Sequence, residues 1–61
     1  MILREYKKGR QTNFFTREYN GIHFLEKNTK SCAFTIICGT EKEVYDYIEN
    51  NGFTFVGLVR K

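Results

Sequence analysis

The sequence predicts an α+β fold: an antiparallel sheet of four to five strands, ordered β-β-β-β-α-β, with one helix packed on one face. Three observations lead there. Short segments rich in β-branched and aromatic residues recur between turn signals. Asn20-Gly21 stands between two of them, and a type I′ hairpin turn needs that pair because both central residues take φ > 0. A helix start, Thr40-Glu41-Lys42-Glu43, follows the fourth segment.

Each element has its own reason. Residues 2–8 form the first strand, and Gly9 turns the chain. Residues 12–19 form the second strand and, beyond Asn20-Gly21, residues 22–28 the third. Asn28-Thr29-Lys30-Ser31 makes the next turn, and residues 32–38 the fourth strand. Gly39 and Thr40 end it. In the capping box the Thr40 hydroxyl accepts the Glu43 N–H, and the Glu43 carboxylate reaches back. The helix runs from 41 to about 51, with Val44, Ile48 and Tyr45 or Tyr47 as its apolar stripe. Asn51-Gly52 stops it, and residues 53–60 form the last strand. That strand is placed beside the first; a crossover beside the fourth is the alternative.

The hairpin turn pairs Tyr19 with Ile22 and Arg17 with Phe24. A three-residue loop at 29–31 then sets Phe24 opposite Ile36 and Ile22 opposite Cys38. One face collects Phe15, Tyr19, Ile22, Phe24, Cys32, Phe34, Ile36 and Cys38, the expected core beneath the helix. The other face holds Phe14, Thr16, Glu18, His23, Leu25, Lys27, Ala33, Thr35 and Ile37. On it, Phe14, Leu25 and Ile37 form an apolar patch beside His23, the expected protein-binding surface.

The chain has 61 residues and is expected to be a single small domain, 1–61. That length leaves no room for a Rossmann unit, a P-loop domain or a barrel. Ten aromatic residues and 41% apolar content argue against disorder. No apolar run is long enough to span a membrane. Met1-Ile2-Leu3 runs at once into Arg4 and Glu5, which is no targeting pattern, so a cytoplasmic protein is expected. Cys32 and Cys38, six apart on one strand, would lie about 20 Å apart where a disulfide tolerates roughly 7 Å. They are read as buried, reduced thiols. Phe, Tyr, Met, Ile, Asn and Lys total 27 residues against 10 for Gly, Ala, Arg and Pro. That bias points to an A/T-rich genome, of a low-GC bacterium or its phages.

Catalytic chemistry finds little support. His23 is the sole histidine and Ser31 the sole serine, one mid-strand and the other in a turn. His23 also faces away from both cysteines in this register, so no nucleophile–base pair forms. Two cysteines and one histidine do not complete a metal site. The glycines are isolated, so no phosphate loop exists. Glu41, Glu43, Asp46 and Glu49 read as the solvated face of the helix. No catalytic residue, cofactor or metal is therefore assigned.

Two functional readings remain. The first is a non-enzymatic protein-binding module acting stoichiometrically: a homodimeric regulator or inhibitor, of the kind phages direct against a host enzyme or defence system. Its surface is Phe14, His23, Leu25 and Ile37, and dimerisation offsets a small core. The second is a nucleic-acid-binding module. The net charge is +3, and the basic residues crowd the first half of the chain. Arg4, Lys7, Lys8, Arg10 and Arg17 would contact phosphates, and Tyr6 would stack on a base.

Overall fold

The computed structural model describes residues 2–60; Met1 and Lys61 lie outside the described residues. The elements are β1 (Ile2–Lys8), β2 (Gln11–Tyr19), β3 (Ile22–Asn28), β4 (Ala33–Gly39), α1 (Glu41–Asn50) and β5 (Thr54–Arg60). They build the expected α+β fold, a five-stranded antiparallel sheet with one helix. The strand order is β4-β3-β2-β1-β5, so β5 takes the place beside β1. Every neighbouring pair is antiparallel, and β4 and β5 therefore run the same way at opposite edges.

The β2–β3 hairpin follows its turn chemistry. Asn20 and Gly21 take φ of 51° and 81°, both left-handed. The Gly21 N–H also donates to the Glu18 carboxylate at 2.6 Å. Tyr19 pairs with Ile22 and Arg17 with Phe24, as the turn requires.

The β3–β4 register departs from expectation. Thr29 folds the loop over Cys32: its N–H donates to the Cys32 carbonyl at 2.7 Å, and its hydroxyl accepts the Cys32 N–H at 3.1 Å. This local bonding holds Cys32 out of the strand and lengthens the loop. Phe24 then faces Cys38, Leu25 faces Ile37, and Ile36 bulges out before Glu26 meets Thr35. Two more irregularities follow: one in β2, where Asn13 takes φ 69°, and one in β5 at Val56. Cys32 and Cys38 are free, as expected, but both are exposed rather than buried.

Helix α1 is capped as the sequence dictates. The Thr40 hydroxyl accepts the Glu43 N–H at 3.2 Å, and the Glu43 carboxylate accepts the Thr40 N–H at 3.3 Å. Glu41 and Glu43 sit in the first turn, at the positive end of the helix dipole. The Asn51 N–H closes the last turn on the Tyr47 carbonyl, and Gly52 leaves at φ 75°. Thr40→Ala removes this cap and is expected to lower stability by about 1 kcal/mol. In a domain this size that is a fall of roughly 4–8 °C in Tm, measurable by circular dichroism.

The core reverses the face expected from the sequence. Val44 and Ile48 of the helix pack on Tyr6, Phe14 and Leu25, with Ile36, Ile37, Tyr45, Tyr47 and Phe53 around them. Thr16 is buried among them. The helix thus covers the side carrying Phe14, Leu25 and Ile37, and leaves Phe15, Tyr19, Ile22 and Phe24 on the other. Register partners share a face, which fixes the assignment. The chosen face belongs to the β4–α1–β5 crossover. Connections between parallel strands strongly prefer one hand, whatever the apolar count of each face.

Candidate functional site: the open face of the sheet

The Phe14, His23, Leu25 and Ile37 patch is corrected by this packing. Leu25 is 0% exposed and Phe14 is buried with it. Ile37 is half-buried against the same cluster. His23, also half-buried, meets Tyr45 in a T-shaped contact at 6.4 Å between centroids. These residues are helix-side structure, and the uncovered surface lies on the opposite side.

That open face is built by register. Glu5, paired to Phe15 and Gly57, lies level with Glu26 and Thr35. One step along the strands lie Val59, Leu3, Arg17, Phe24 and Cys38. Tyr19 and Ile22 close one end beside the hairpin turn. Leu3 sits nearly flush at 7% exposed, and Phe15, Phe24 and Val59 are half-buried. Tyr19 at 64% and Ile22 at 47% stand proud.

Two charges cross the middle of this face. The Arg17 Nε donates to the Glu26 Oε1 at 2.8 Å, and the guanidinium lies 4.3 Å from the Phe24 ring centroid. The bond to Glu26 raises the Arg17 pKa further above its ordinary value. With Glu5 and Lys7, the described residues of the face include two positive and two negative side chains.

The residues of the nucleic-acid reading are dispersed. Tyr6 is buried in the core and cannot stack on a base. Arg4 lies on the helix side, its guanidinium 4.3 Å from the Phe55 centroid and 5.8 Å from that of Tyr45. Its Nε donates to the Tyr6 hydroxyl at 3.0 Å, which raises its pKa. Arg17 lies on the opposite face, bonded to Glu26. Lys7, Lys8 and Arg10 stay exposed around the β1–β2 turn, with Lys8 Nζ 5.3 Å from the Phe53 centroid. Lys27 lies over Phe14 and donates to the Thr12 carbonyl.

Among the described residues there is no pocket and no cluster of three or more potential metal ligands. No helix is long and apolar enough to cross a membrane. The open face offers stacking surface, apolar relief and balanced charge, which are means of binding. Sequence reasoning assigned its residues to the interior. The signal that identifies them is the pair Arg17 and Glu26, which alternation places between the aromatics of that face. Comparison with protein-family models, curated proteins and solved structures finds no match.

Proposed function

We propose that the protein is a non-enzymatic protein-binding module, acting stoichiometrically in the cytoplasm as a regulator or inhibitor, and that the open sheet face is its docking surface. The observation that carries this reading is the balance of that face. Among the described residues its aromatic and aliphatic side chains are interleaved with two cations and two anions, whereas the whole chain carries +3. A surface for phosphates would concentrate positive charge. A protein interface instead combines aromatics and an arginine with compensated charge. Two free thiols on the surface fit a reducing compartment.

The test is affinity capture with matched baits. Wild type should retain a defined partner at fixed stoichiometry. Ile22→Lys should lose it by about 10-fold or more, because a lysine then stands on the docking face. Glu49→Lys, on the exposed side of the helix, should leave capture unchanged. A partner held equally by all three baits would place the docking surface elsewhere.

The exposed Lys7, Lys8 and Arg10 keep the nucleic-acid reading as the second outcome. Fluorescence anisotropy with labelled DNA and RNA at about 50 and 200 mM salt separates the two. The expected result is no salt-steep binding. Tight binding at low salt, with a slope flattened by replacing all three residues with Ala, would transfer the function to that turn.

A further inference from the structure

The open face contains a glycine beside the bulge at Val56. Gly57 lies in the interior of β5, paired to Glu5, with no left-handed φ. A Cβ built on it meets nothing within 4 Å. Glycine inside a strand weakens it, and where it serves neither a turn nor internal packing it leaves room for an approaching group. Here that room is a dimple on the open face, level with Phe15. The same face carries a projecting side chain, Tyr19. An isologous contact needs a hole and a knob on one surface, because each copy supplies both.

We infer that the occupant of the open face is a second copy of this chain, packed face to face about a two-fold axis, with Tyr19 of each copy seated over Gly57 of the other. This rests on the reading of that face as a docking surface, for which self-pairing and the target compete. Strand spacings place Tyr19 and Gly57 about 17 Å apart, four residues along and two strands across. The point midway falls on Leu3 in the intervening β1. An axis there exchanges knob and dimple and sets two flush leucines against each other.

Area and net charge permit a weak dimer of this kind. Five strands of about seven residues present a face of roughly 24 by 23 Å, on the order of 550 Å² per copy. Two copies together bury on the order of 1,100 Å², above the roughly 1,000 Å² a biological contact needs and in the size class of weak, reversible pairs. Among the described residues the two cations and two anions of the face cancel, so their charge does not add up at the contact. The small core is a further reason, since scaffolds of this size gain stability by pairing.

The experiment is a double-mutant cycle on dimer dissociation, read by sedimentation equilibrium of the full chain. Tyr19→Ser removes the knob, and Gly57→Val fills the dimple with a residue the strand accommodates. Melting curves at low concentration should show both variants folded. Wild type should reach twice its 7.3 kDa mass with rising concentration. Each single variant should weaken the dimer by about 10-fold or more. The double variant should be no weaker than the worse single, since a filled dimple costs nothing once the knob is gone. A wild type that stays monomeric to about 500 µM overturns the inference. So does a dimer that neither substitution weakens, or strictly additive losses. If wild type is monomeric while Ile22→Lys still abolishes capture of another protein, this inference fails and the docking surface stands.

Discussion

Leu25→Lys is expected to leave the chain unfolded, while Ile22→Lys, three residues earlier on the same strand, leaves it folded. Leu25 has no exposed surface and lies in the cluster with Val44, Ile48, Tyr6 and Phe14. A lysine there must leave its charge buried without a partner or force the helix off the sheet. Even Leu25→Ala should cost about 2–5 kcal/mol, comparable to the roughly 3–5 kcal/mol that a single core of this size supplies. Ile22 is 47% exposed on the open face, and its replacement should change monomer stability by no more than about 0.5 kcal/mol. Thermal melts of both lysine variants, at a concentration low enough to hold them monomeric, make the comparison. A cooperative transition in Leu25→Lys would mean the helix does not cover this face.

Gly21→Val is expected to produce the next largest loss, about 1–2 kcal/mol, with no contact removed. Gly21 sits at φ 81° and nothing lies within 4 Å of a built Cβ, so the penalty is purely conformational. A β-branched residue there resists the left-handed backbone that the two-residue turn demands. This turn sets the register of the two strands at the heart of the sheet. Denaturant titration should show a lower midpoint with an unchanged slope, because the folded and unfolded surfaces stay the same. A change in slope would indicate that the hairpin has shifted register instead.

The two substitutions also mark where the sequence was legible. Turn and cap chemistry is local: Asn20-Gly21 and Thr40 to Glu43 act through their own backbones and could be read at sight. The strand order followed from the single crossover. The choice of face is not local, and the count of apolar residues misled it. Phe15, Tyr19, Ile22 and Phe24 outnumber the apolar residues at matching positions on the helix side. Yet Arg17 and Glu26 stand in the middle of their face, where a packed helix would have to desolvate both. The helix side has Thr16 and Leu25 at its centre, and two of its charges, Arg4 and Lys27, reach over aromatic rings. Central charge was a better guide than apolar number. The Thr29–Cys32 loop and the extra residue at Ile36 arose from side-chain bonding and pairing geometry that alternation alone does not encode.

Those irregular strands have a consequence for growth by end-to-end stacking. β4 contains no charged residue, β5 only Arg60, and the two run in the same direction at opposite margins. Copies related by simple translation could therefore join β5 of one to β4 of the next, without limit, as a fibre. Each outer strand carries one surplus residue, Ile36 on β4 and Val56 on β5, which interrupts its hydrogen-bonding ladder. Two such interrupted ladders do not mesh over their full length. Kinked margins are thus the barrier this sheet sets against such pairing, where other sheets use lysine or proline.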